Sequence, residues 1–209
     1  MDSIKQYFKN HPIIFMFIYT AVYFLLFSLL EATIVPRYII HSPIDDIIPF
    51  CEYFIVPYLM WFIYVPAVLF YLVAKDRDSF WKMVKMMFVG NMLCLLLYAL
   101  FPNGVMPKQP VAADNIFARM VNTLYHTDTP TNVCPSIHVL DTLSAHIALT
   151  RSRYLRASSP VKITSFVFFI MVCISTVTLK QHSIIDIFAS LVLMVFLEKF
   201  AYSKKLIRI

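Results

Sequence analysis

Long apolar runs separated by short polar breaks constrain this fold more than any other feature of the chain. The first, Ile13 to Val35, is about 23 residues long and ends at Pro36. Roughly 20 apolar residues let a helix cross the hydrocarbon core of a bilayer. A chain in lipid must satisfy its backbone polar groups internally, which selects helices or closed barrels. This run is too long for a signal-peptide core and no small-residue cleavage site follows it, so it is expected to stay as an anchor. Further runs cover roughly Phe50 to Ala74, Met83 to Phe101, Pro135 to Thr150, Ile163 to Leu179 and Ile184 to Leu197. Pro57 and Pro66 are expected to kink the second. The expected fold is all-α: a polytopic membrane protein of six transmembrane helices, one domain over residues 1–209.

Composition fits that class. The chain is 60% hydrophobic and 14% charged, against about 25% charged for soluble domains. Two glycines exclude a Gly-rich phosphate loop. The net charge of +6 comes from basic residues grouped beside the apolar runs, which speaks for anionic lipid and orientation and against a nucleic-acid partner. The four cysteines lack CxxC spacing, so no metal site or disulfide framework is indicated; a Cys51–Cys134 bridge on one membrane face stays open.

Fourteen Lys and Arg residues fall on one side of the expected spans, among them Lys5, Arg156, Lys204, Lys205 and Arg208. Four fall on the other: Arg37, Lys108, Arg119 and Lys180. The positive-inside rule then places both termini in the cytoplasm. The long loop Pro102 to Val133 lies outside, and its Asn115 to Tyr125 portion reads as an amphipathic helix at the interface between the third and fourth spans.

Two polar clusters fall on that outer side. Lys180-Gln181-His182-Ser183-Ile184-Ile185-Asp186 separates the last two spans. Ionisable residues at such a junction are costly in lipid and are functional candidates. His182 and Asp186 are four apart and share a face if the segment is helical, so the carboxylate can accept the Nδ1 proton and leave Nε2 free. A histidine simply hydrogen-bonded near a helix end is the plain alternative. The second cluster, Asp128 to His138, opens the fourth span, with Pro135 suited to the first helical position. A helix start offers free N–H groups to phosphate; Ser136 adds a hydroxyl and His138 an imidazole, although this cluster taken alone reads first as a capped helix with one interior histidine. Asp141, one turn after His138, is an orienting or structural partner, and His146 a core histidine. Glu31 and Glu52 read as interhelical or interfacial partners.

Together the clusters resemble the type 2 phosphatidic acid phosphatases, six-helix lipid phosphatases and phosphotransferases. Pro135-Ser136-Ile137-His138 is similar to that family's Pro-Ser-Gly-His motif, and Ser175-Thr176 with His182 and Asp186 to its Ser-Arg, five residues, His, three residues, Asp. Ile137 stands for glycine, as in the inositol-phosphoceramide and sphingomyelin synthase branch, and Thr176 for arginine. The first motif is degenerate: Lys108-Gln109-Pro110 keeps one cation. The resemblance implies a metal- and cofactor-independent phosphoric ester hydrolase of a plasma membrane, acting on a lipid phosphate such as phosphatidic acid, phosphatidylglycerol phosphate or a polyprenyl diphosphate. His182 would be the nucleophile, Asp186 its orienting carboxylate and His138 the acid. Lys108, Lys180, Ser136 and the helix start at Ile137 would hold phosphate. A phosphotransferase using an alcohol acceptor, a non-catalytic lipid transporter, and a two-histidine, one-carboxylate metal site are the other readings. Whether the chain forms a homo-oligomer is left open.

Overall fold

The computed structural model describes residues 2–155 and 158–203, with Asp2, Ser3 and Lys5 described by their backbone alone. Arg156, Lys204, Lys205 and Arg208, used in the charge count, lie outside the described residues.

Helix α1 (Asp2–Asn10) breaks at His11, and Pro12 opens α2 (Pro12–Thr33) as a first-turn proline. Strand β1 (Tyr38–Ile39) and the short α3 (Pro43–Ile47) follow. Ser42 and Asp45 close a capping box over α3. A 3-10 turn, Glu52–Phe54, leads into α4 (Ile55–Lys75). Pro57 falls in the first turn of α4, where no N–H bond is lost, so only Pro66 lies inside the helix. The expected third span begins earlier than its apolar run: α5 covers Arg77–Leu100, because the Asp76 carboxylate accepts from Ser79 N and caps the helix there. Strand β2 (Asn103–Gly104) pairs in parallel with β1. Then come α6 (Ile116–Thr127), α7 (Ile137–Arg151), α8 (Ser159–Thr178) and α9 (Ile184–Tyr202).

Helix α7 is central and packs on α4, α5, α8 and α9. Gly90 lets α5 approach, since a Cβ there would meet the Leu140 and Leu197 side chains. Four helices are long and apolar enough to cross a membrane: α2, α4 with its 3-10 turn, α5 and α8. The chain is a membrane protein. Of the other two expected spans, α7 has only 15 residues, and α9 carries Asp186, Glu198 and Lys199.

The amphipathic segment is helical as α6, with Asn115 capping it through Ala118 N at 2.9 Å. Its apolar face is turned to protein: Val121 and Leu124 pack with Ile55, Tyr58 and Leu179, leaving Ile116 exposed.

One end of the bundle gathers basic residues. Arg151 pairs with Glu198, and both Lys82 and Arg151 lie over the Tyr202 ring. Buried Asp76 there accepts from Ser79 Oγ, Ser152 Oγ and Arg153 N, tying the α4–α5 turn to the end of α7. The other end is built from α3, the β1–β2 pair and the loops before α7 and α9, and it holds both polar clusters.

Candidate active site

The segment from Thr176 to Asp186 sets the position of His182. The Thr176 carbonyl accepts from Gln181 N at 2.9 Å and His182 N at 3.0 Å, and Lys180 turns the chain with a left-handed φ of 54°. Ser183 is the N-cap of α9, so His182 stands just outside the helix. One oxygen of Asp186 meets both His182 Nδ1 and Ser183 N, each at 3.0 Å. The carboxylate thus caps the helix and fixes the imidazole, which directs Nε2 away from it. Asp186 is wholly buried and His182 nearly so.

Asp45 secures this turn from outside. It accepts from Ser183 Oγ at 2.6 Å and from Ile184 N at 2.9 Å. The Lys180 ammonium donates to the backbone carbonyls of Asp45 (2.8 Å) and Ile48 (2.5 Å). Two of its three donors are therefore already used.

His138 enters from α7. Pro135 is not the first helical residue; it follows a cis Cys134–Pro135 peptide and precedes the N-cap, Ser136. The His138 ring lies 5.8 Å from the His182 ring, centroid to centroid, and against Tyr58 and Trp61 at 4.5 and 4.6 Å. Asn103, fully buried, holds the loop ahead of α7: its Oδ1 accepts from Val133 N and Cys134 N, and its Nδ2 donates to the Phe101 and Cys134 carbonyls.

Two cavities meet at His182. The outer one, about 610 Å³, is lined by Lys108, Lys180, His41 and Asp45. The inner one, about 340 Å³, is lined by His138, Ile137, Glu31 and Asp128. Lys108 lies on the wall between them, donating to the Asp128 carbonyl at 3.2 Å and to Gln181 Oε1. Burial pushes its ammonium down to about 8, although Asp128 and Glu31 pull the other way.

The structure therefore brings His182, Asp186, His138, Lys108, Lys180 and Ile137 to one place. Ser136 sits beneath: it lines neither cavity, and its buried Oγ has no partner among the described residues. Ser175 and Thr176 use their hydroxyls on the carbonyls of their own helix, at Val172 and Cys173. Asp141 receives Asn91 Nδ2 at 3.4 Å and makes no hydrogen bond to His138; His146 bonds Ser165 inside the bundle. Glu31 accepts from Thr129 N and Oγ1, and Glu52 from Asn115. All four cysteines are free, and burial pushes the Cys134 thiol up to about 12. Asp45 and Asn103 were not legible as site residues. A capping Asp after Ser-Pro was the available signal for the first; nothing in the sequence marked the second.

No family model, curated protein or solved structure matches the chain. Its chemistry must be read from the arrangement itself and from the two short motifs.

Proposed function

We propose that this protein is a six-span lipid phosphate phosphatase of the plasma membrane, with both termini cytoplasmic and the site facing outward, similar to the type 2 phosphatidic acid phosphatases. Here α7 and α9 are the fourth and sixth spans, with His138, Asp141 and Asp186 turned to the bundle interior. The observation that carries the reading is the pair of facing imidazoles, 5.8 Å apart, only one of which has a buried carboxylate at Nδ1.

The asymmetry assigns the roles. His182 Nε2 gives its lone pair to phosphorus while the ester P–O bond breaks. Asp186 keeps the proton on Nδ1 and stabilises the imidazolium that forms. His138 gives a proton to the departing alkoxide. It then takes a proton from water as water attacks phosphorus, the P–N bond breaks and the pair returns to His182. Lys108 and Lys180 balance charge on the phosphoryl oxygens. General acid–base help of this kind contributes about 10²–10⁴-fold.

The two cavities at His182 favour a second reading of the same site. One side can hold the phosphoryl group while an alcohol replaces water from the other, which makes the chain a phosphotransferase. Phosphate release by purified protein across a lipid-phosphate panel, with and without alcohol acceptors, tests both. Hydrolysis in water supports the first; product ester formed only with an alcohol supports the second. No turnover of any lipid phosphate overturns the proposal.

A further inference from the structure

The inner cavity has the wrong sign for a phosphate. The carboxylates in its walls are Glu31 and Asp128, and both Lys108 and Lys180 line the outer cavity instead. Lys108 faces the dividing wall through a backbone carbonyl and Gln181, so its charge offsets only part of the two carboxylates. Each carboxylate keeps an oxygen with no hydrogen-bond partner among the described residues: Thr129 engages Glu31 Oε1, and Tyr58 engages Asp128 Oδ2.

Six of the other lining residues are aromatic: Tyr23, Phe24, Phe27, Trp61, Phe62 and Tyr98. Aromatic faces together with carboxylates are the chemistry that recognises an ammonium group. Two further polar side chains stand in the same wall. Asn132 and Gln181 are at least nine-tenths buried and line the cavity; Asn132 Oδ1 and Gln181 Nε2 have no partner among the described residues. The first is an acceptor and the second a donor.

We infer that the inner cavity binds the ammonium end of an amino alcohol, the headgroup of a zwitterionic phosphate ester. It rests on the proposed function only in placing phosphorus at His182, between this cavity and the lysines. An amino alcohol is short, so its nitrogen in the inner cavity leaves its oxygen beside His138, where a leaving or accepting alcohol must be.

The test needs no turnover. Trp61 lines the cavity, so its fluorescence in full-length Trp81→Phe protein reports occupancy. Tetramethylammonium and choline chlorides are titrated at constant ionic strength, beside 3,3-dimethylbutan-1-ol, the uncharged counterpart of choline. Both cations should saturate the signal at millimolar concentration, with the neutral alcohol about tenfold weaker or more. Asp128→Asn, which keeps an oxygen for Tyr58, and Glu31→Gln should each weaken choline severalfold. Thr129→Val, which removes a partner of Glu31 and leaves the carboxylate, should not. Equal binding of choline and its neutral counterpart overturns the inference, as does absence of saturation by either cation. If choline binds but no lipid phosphate is turned over, the cavity assignment stands and the phosphatase reading falls. If lipid phosphate is hydrolysed and choline does not bind, the reverse holds.

Discussion

A single oxygen, Asp186 Oδ2, lies 3.0 Å from His182 Nδ1 while it also caps α9 through Ser183 N. The orientation of the candidate nucleophile is thereby tied to the start of a helix. Asp186→Asn should retain the fold, because the amide oxygen can still cap, yet lose about 10³–10⁴-fold in kcat. Ser183→Ala should cost about 1 kcal/mol of stability with a far smaller loss of rate. Thermal unfolding and phosphate release measured on both variants separate cap from chemistry; equal rate losses would contradict the tautomer role.

The histidines should separate by leaving group. His182→Ala should form no acid-labile phosphoenzyme with any substrate. His138→Ala should slow alkyl phosphate cleavage by about 10²–10⁴-fold, and an aryl phosphate much less, since a phenolate leaves without a proton. Phosphoenzyme still trapped in His182→Ala would move the nucleophile elsewhere.

Lys108 predicts a pH dependence. Its ammonium is charged below about 8 and loses its proton as the pH rises through that value. Phosphate binding that uses this charge is therefore full on the acid side and fades above about 8. KM for a lipid phosphate should rise above pH 8, and Lys108→Arg should carry the rise to higher pH. The same KM profile in wild type and Lys108→Met would remove Lys108 from the phosphate site.

Gly104 is held between two prolines. A Cβ added there would lie 2.3 Å from the Pro130 carbonyl oxygen and 2.9 Å from Pro36 Cγ. Backbone cannot give way as a side-chain end can. Gly104→Ala should push apart β2 and the loop before α7, costing about 1–3 kcal/mol by overpacking and lowering the rate with it. Wild-type melting and turnover in this variant would show that the loop is not fixed there.

Topology is testable with cysteine. In a background lacking Cys51, Cys94, Cys134 and Cys173, a cysteine replacing Gln109 should label with an impermeant thiol reagent in intact cells, and one replacing Lys75 only after permeabilisation. The opposite pattern inverts the proposed orientation.

The helices were legible because apolar runs and their breaks are local. Their ends were less so: α5 extends back to Arg77 because one buried carboxylate caps it, a choice that hydropathy does not register. The spacing of His182 and Asp186 announced their contact, since four residues at a helix start allow little else. Lys180 was legible as a cation beside the histidine, but not its attachment to the carbonyls of Asp45 and Ile48, more than 130 positions away. Ser136 illustrates the opposite failure. Its place in a motif pointed to phosphate, while the fold turns its hydroxyl into the interior.

Helix α2 contributes Tyr23, Phe24, Phe27 and Glu31 to the inner cavity, yet none of its most apolar stretch is buried by the rest of the chain. One side of the candidate chamber is thus held up from behind by lipid. The bilayer is then a structural component as well as a solvent, and its thickness and lateral pressure bear on the shape of the chamber as directly as a mutation in the helix would.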